Sequence, residues 1–246
     1  MHRATEDSIE EGTVRRVKHR RIGQMRVFDD ALSAQCFNRL RRRVYGTEGV
    51  AQTFDRTFWF DFSAAPDNVV ALAILEMKAL VPRNLSIVGA EWWLSRMRTS
   101  HIEFGFHQDR DGGYRARTGK MIHPDFSSVL FLNRCRGGAL AVTAALPDER
   151  NTASAPSDHS FWLAVPRPNR FALFPGHLTH GVLDSHNEIP GPRRPKEKRL
   201  RLAVAINFWS YAPERIPSFS ESRHYRVLSI FLKGHHACEL GSKRLI

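Results

Sequence analysis

Apolar positions along the chain change period once, dividing it into a helical front and a β-rich remainder. Residues 1–22 show no sustained apolar pattern; acidic residues come first and basic residues second, which predicts a mobile charged arm. Val27-Phe28 then reads as a short strand. Leu32, Cys36, Phe37, Leu40 and Val44 recur at helical spacing, with Asp29 or Asp30 able to cap the start, Gly46 at the end, and Arg39, Arg41, Arg42 and Arg43 mostly on the outer side. Residues 56–62 are aromatic and extended, predicting a strand. Pro66 falls in the first turn of a second expected helix, whose apolar face carries Val69, Val70, Leu72, Ala73, Leu75, Met77 and Leu80 before Pro82.

From Ile87 on, apolar and polar residues alternate with period two over residues 91–98, 102–109, 127–133, 139–144, 161–165, 170–174, 180–183 and 199–209. Gly112-Gly113, Gly137-Gly138 and Pro175-Gly176 punctuate these runs as turns. Strands in this number, with helices only in front, predict a mainly β fold with flanking helices and a double-stranded β-helix (jelly-roll, cupin-like) core. A chain of 246 residues can form this as one domain, here 23–246, with the core at about 88–211. The stretch 225–232 is apolar, and its pattern does not choose between helix and strand.

One of the alternating runs ends in chemistry. Phe104-Gly105-Phe106-His107-Gln108-Asp109 puts an imidazole and a carboxylate two residues apart, on the same side of an extended chain, where both can bind one metal ion. With 12 His and 25 acidic residues that spacing also arises by chance, so its weight depends on a further ligand. Phe174-Pro175-Gly176-His177-Leu178-Thr179-His180 offers two histidines for the third position, His177 and His180. Two histidines and a carboxylate on one face of a metal form the donor set of non-haem Fe(II) oxygenases.

The order His107-x-Asp109, then Phe174-Pro175-Gly176-x-x-x-His180, then an Arg opening a late apolar strand, resembles the Fe(II)/2-oxoglutarate-dependent dioxygenase superfamily in its prolyl-hydroxylase-like branch. Residues 123–133, followed by Gly137-Gly138, resemble the strand and turn that this branch carries after its first two ligands. The resemblance implies metal ligation by His107, Asp109 and His180, since the family's third ligand lies four residues beyond the Gly. It implies 2-oxoglutarate as co-substrate with O₂, its distal carboxylate held by Arg201, with Arg199 in the same phase as the alternative. A planar guanidinium suits a carboxylate because it donates two charge-assisted hydrogen bonds.

Arg201 shares its strand face with Ala203, Ala205, Asn207 and Trp209, so small residues beside it leave room for an acid, and Asn207 joins the co-substrate candidates. Many relatives carry Ser or Thr where this chain has Ala203; Ser128 is the expected replacement hydroxyl. Asp109 also bears on the reaction: halogenating members replace that carboxylate with a small residue, so its presence implies hydroxylation. Arg96 and Arg98, on one face of the preceding strand, are candidates for holding an acidic substrate group or simply edge charges; Tyr114 and Lys120 are weaker candidates.

Composition adds partners and compartment. The formal charge is +12, concentrated at residues 15–21, 39–43 and 193–199. Such clusters mark acidic partners or a solvated basic face. They do not establish nucleic-acid binding, because the demethylating branch carries a second Arg where this chain has Asn207. Cys36, Cys135 and Cys238 are odd in number and lack metal-binding spacing, implying reduced thiols and a cytoplasmic protein. No apolar run reaches the roughly 18 residues of a membrane span, and the first residues lack the apolar stretch of a signal peptide. The segments 146–159 and 185–198 are candidate loops over the site. The expected function is hydroxylation of a C–H of an amino-acid side chain, free or in a peptide, with release of succinate and CO₂. The alternatives are oxidative nucleic-acid demethylation and a non-catalytic jelly-roll binding module.

Overall fold

The computed structural model describes residues 3–10, 13–46, 57–99, 105–146, 161–190, 200–221 and 225–230. An edge of the main sheet begins with β1 (Arg3–Glu10), β2 (Thr13–Ile22) and β3 (Met25–Phe28), which are successive antiparallel neighbours. The segment expected as a mobile arm therefore lies in the sheet, with Asp7 opposite Arg16 and Ile22 opposite Met25. The physical reason is the backbone of β3: an edge strand leaves a row of N–H and C=O groups to be paired, and β2 pairs them. Gly23 makes the β2–β3 turn at φ +58, where a Cβ would meet the Trp162 indole at 2.0 Å.

α1 (Ala34–Tyr45) buries Phe37, Leu40 and Val44 at the expected spacing, and Gly46 is its C-cap. Its N-cap is Ser33 rather than Asp29 or Asp30. Ser33 Oγ accepts from Cys36 N at 3.2 Å, and both Ser33 N and its hydroxyl donate to Glu76 of the next helix. Asp29 is engaged by Arg170, Nε to Oδ1 at 2.6 Å, and Asp30 takes φ 56, so neither is free to cap. β4 (Phe58–Asp61) precedes α2 (Val69–Lys78), which starts three residues later than the proline position suggested. Asn68 is its cap: Oδ1 accepts from Val70 N and Ala71 N at 2.9 Å each, satisfying two of the first-turn donors.

The remaining elements are β5 (Gly89–Arg98), α3 (Gly112–Thr118), β6 (Phe126–Phe131), β7 (Leu140–Thr143), β8 (Trp162–Ala164), β9 (Arg170–Pro175), β10 (Thr179–Val182) and β11 (Leu200–Trp209), then short 3₁₀ turns at Phe219–Glu221 and Arg226–Leu228. The large sheet runs β1-β2-β3-β9-β6-β11-β5-β4 and the small one β10-β7-β8. Every pairing between these strands is antiparallel. Two facing antiparallel sheets with crossovers make the jelly roll. Of the expected run 102–109, residues 102–104 lie outside the described residues, and the rest contributes one paired position, His107.

Period two assigns each face of the large sheet. Trp92 and Leu94 of β5, Leu130 of β6, Phe171 and Leu173 of β9, and Leu202, Val204, Ile206 and Phe208 of β11 join α1 and α2 in one core. Ala172, Phe174, Phe131 and Ala203 point the other way, meeting Leu140, Val142 and Ala164 of the small sheet. Ile74, fully buried between helix and sheet, would cost about 2–5 kcal/mol as Ala. Among the described residues no helix is long and apolar enough to cross a membrane.

Candidate metal centre and its cavity

The inner face of the large sheet does not fill completely with side chains. Toward one end, a cavity of about 240 Å³ lies between the sheets, and its lining includes His107, Asp109, His180, Arg201, Asn207 and Glu91. His107 and His180 face each other as an antiparallel pair: His107 N donates to His180 O at 2.9 Å and His180 N to His107 O at 2.8 Å. Their ring centroids are 4.5 Å apart.

Each ring is turned by a backbone carbonyl. His107 Nδ1 lies 2.9 Å from Gly105 O and His180 Nδ1 lies 3.1 Å from Leu178 O. A carbonyl only accepts, so each Nδ1 carries its proton and each Nε2 keeps a lone pair. Both lone pairs point toward Asp109: His107 Nε2 is 3.7 Å from Oδ1 and His180 Nε2 3.4 Å from Oδ2. Ser127 Oγ donates to Asp109 Oδ2 at 2.7 Å, fixing the carboxylate, and the Asp109 carbonyl accepts from His123 Nδ1 at 2.7 Å. Burial holds the His180 imidazole below its ordinary pKa, the charge of Asp109 opposing that shift. The neutral ring is the form that binds a metal.

One donor atom from each of these three residues falls within a 4.8 Å span. Donors at about 2.1 Å from one ion stand roughly 3.0–3.4 Å apart, so the gap is the size of a single metal ion with modest closure. Two imidazoles and one carboxylate on one side, with the cavity on the other, fit Fe(II) and leave coordination positions open. His177 is exposed, and its carbonyl accepts from Gln108 Nε2 at 2.6 Å, so it takes no part.

Arg201 enters the same cavity from β11 and is 1% exposed. Its Nε donates to Gly138 O at 2.9 Å, its Nη1 to Ser95 Oγ at 3.2 Å, and its guanidinium carbon sits 5.0 Å above the Phe131 ring centre. Among the described residues no carboxylate pairs with it, and burial pulls it down to about 10, still cationic at neutral pH. Gly137 and Gly138 permit this: both have positive φ, and a Cβ on Gly138 would come within 3.1 Å of Arg201 Cδ. Arg199 lies outside the described residues.

Several expectations are corrected by strand phase. Ser128 points into the helix-side core and donates to Ile206 O at 2.7 Å, away from the cavity. Its neighbour Ser127 faces the metal residues, and the hydroxyl beside Arg201 comes from Ser95 on β5. Arg96 lies on the opposite face of β5 and donates to Val44 O of α1 at 3.0 Å, while Arg98 is exposed outside the cavity. The cavity face of β5 carries Glu91, Trp93, Ser95 and Met97 instead, a phase legible in the alternation but assigned to the wrong side. Asn207 lines the cavity as expected. Tyr114 and Lys120 do not; Tyr114 lies in α3, under the Arg117 guanidinium at 5.2 Å. Arg110, at the mouth, went unnoticed in the sequence.

No family model matches the chain, and no curated protein matches it. Among solved structures, it is similar to a Pseudomonas putida prolyl-4-hydroxylase, with TM-score 0.46 and 15% identity over 76% of this chain and 84% of that one. It is also similar to HygX from Streptomyces hygroscopicus, crystallised with nickel and 2-oxoglutarate, with TM-score 0.45 and 16% identity over 80% and 84% of the two chains. A third likeness is AviO1 from Streptomyces viridochromogenes Tue57, with TM-score 0.44 and 14% identity over 79% and 93%. These are distant likenesses in the course of the chain; the functional reading rests on the residues of the cavity.

Proposed function

We propose that the chain is an Fe(II)- and 2-oxoglutarate-dependent dioxygenase that hydroxylates a C–H of its substrate. The observation that carries this reading is one cavity holding both halves of the chemistry: His107, Asp109 and His180 converging on an ion-sized gap, and the buried cation of Arg201, which pairs with no carboxylate among the described residues. When bound, iron would couple O₂ reduction to decarboxylation of 2-oxoglutarate, giving succinate and CO₂, and deliver oxygen to the substrate carbon.

The protein's own residues supply the remainder. The Gly105 and Leu178 carbonyls hold both imidazoles in the metal-binding tautomer, and Ser127 fixes the carboxylate. Arg201, oriented by Ser95 and the Gly138 carbonyl, would receive the distal carboxylate of the co-substrate; ionic attraction is strengthened there because the guanidinium is buried. Ala205, Val129 and Leu140 give the cavity apolar wall between its polar groups. Asp109 occupies the ligand position that a halogenase would leave to chloride, so oxygen transfer is the expected outcome.

Anaerobic titration with Fe(II), followed by 2-oxoglutarate and then air, tests the proposal. The expected result is one iron per chain and succinate formed only when all three are present. Absence of succinate release in the presence of bound iron would favour the binding-module reading.

A further inference from the structure

The metal residues and Arg201 account for much of the cavity's polar lining, but not for Glu91 and Asn207. These two are directly opposed in the β5–β11 register, are 9% and 2% exposed, and line the cavity. Asn207 Nδ2 donates to Glu91 Oε2 at 3.4 Å, which sets the amide with its oxygen away from that carboxylate. That oxygen, Oδ1, is buried and has no hydrogen-bond partner. Glu91 also accepts a hydrogen bond from the Thr57 side chain, but among the described residues no Lys, Arg or His pairs with it, and it shares the cavity with a second carboxylate, Asp109.

A buried carboxylate without a cation and a buried amide oxygen without a donor are both costly, and a bound group carrying N–H donors and positive charge relieves both. An alcohol brings one donor and no charge; a protonated amine brings three donors and a charge. We propose that Glu91 and Asn207 form the recognition subsite for an ammonium group of the substrate, which fixes the carbon to be oxidised relative to the metal residues. The inference rests on the dioxygenase reading and gives it a substrate class, amine-bearing molecules. It replaces the expectation of an acidic substrate in the cavity, since Arg96 and Arg98 are directed elsewhere.

Butylammonium, 1-butanol and butyrate serve as probes, titrated by ligand-detected NMR against the full chain, both metal-free and loaded with Ni(II) and 2-oxoglutarate. The expected result is at least tenfold tighter binding of butylammonium than of 1-butanol in both forms, and than of butyrate in the loaded form, where 2-oxoglutarate occupies Arg201. Glu91→Gln, which keeps shape and removes charge, should abolish that preference, and Asn207→Ala should weaken it severalfold. Equal affinity for amine and alcohol, or a preference unchanged in Glu91→Gln, would overturn the inference; if that variant fails to fold, the wild-type comparison decides alone. Bound 2-oxoglutarate with no amine preference would overturn the subsite only. Glu91-dependent amine binding with no metal-dependent 2-oxoglutarate binding would support the subsite and overturn the dioxygenase reading instead.

Discussion

Ser95 and Arg201 sit on neighbouring strands, and the Ser95 hydroxyl accepts a hydrogen bond from Nη1 of Arg201 at 3.2 Å. That contact orients the one end of a buried guanidinium that the Gly138 carbonyl does not hold. Arg201→Ala should therefore weaken 2-oxoglutarate binding by about 2–5 kcal/mol, the range for truncating one partner of a desolvated charge pair. Ser95→Ala should cost less, about 1–2 kcal/mol, since the charge survives. Calorimetric titration of 2-oxoglutarate into the Ni(II)-loaded protein measures both; equal losses would mean that Ser95 does more than orient.

His107→Ala, Asp109→Ala and His180→Ala should each reduce metal affinity by more than about 100-fold, the upper range for losing a mere outer-shell partner. His177→Ala should leave it unchanged, because that ring lies outside the cluster. Competition against a chelating dye resolves these differences, and an intact affinity in His180→Ala would dismantle the site.

Burial, with Asp109 nearby, raises the Glu91 carboxyl to about 7 from an ordinary value near 4.5. A raised folded-state pKa means that the folded protein holds a proton the unfolded chain has released. Metal-free stability should consequently fall as pH rises through the window from about 4.5 to 7, by roughly 3 kcal/mol from this group. Glu91→Gln removes the titration, so its melting temperature relative to wild type should be higher at pH 8 than at pH 5. Parallel melting profiles across that range would contradict the assignment.

Gly138→Ala should damage the co-substrate site without touching a ligand. The added Cβ would sit 2.8 Å from Thr99 Cγ2 and 3.1 Å from Arg201 Cδ at φ +68. Strain of about 1–3 kcal/mol is expected, together with a weaker hold on 2-oxoglutarate but nearly normal metal binding. Chemical denaturation and the same calorimetric titration separate the two effects.

The sequence showed most of this site because its motifs are local. His107 and Asp109 are two apart, and His180 follows a Pro-Gly turn that positions it: a Cβ on Gly176 would lie 2.1 Å from Pro124 O. Period two also identified the Arg201 face of β11, where Asn207 lines the cavity and Leu202, Val204 and Ile206 face the helices. Strands buried on both sides are harder to read. In β5 and β6 both faces are largely buried and each mixes apolar with polar residues, so alternation alone does not tell cavity from helix side for Ser128, Arg96 and Arg98. Helix starts were missed by a few residues because the caps, Ser33 and Asn68, compete with equally plausible Asp29, Asp30 and Pro66 nearby. The pairing of residues 3–22 with β3 depends on an edge that no local pattern announces.

Two backbone hydrogen bonds tie His107 to His180. They fix the separation of the imidazoles through main-chain geometry, so the ligands are brought together when the sheets close and not when an ion arrives. The conformational entropy of assembling the site is lost during folding, leaving little reorganisation for the metal to drive. Chelation should then empty the centre while the surrounding fold persists, in contrast to a zinc finger, whose chain unravels with its ion.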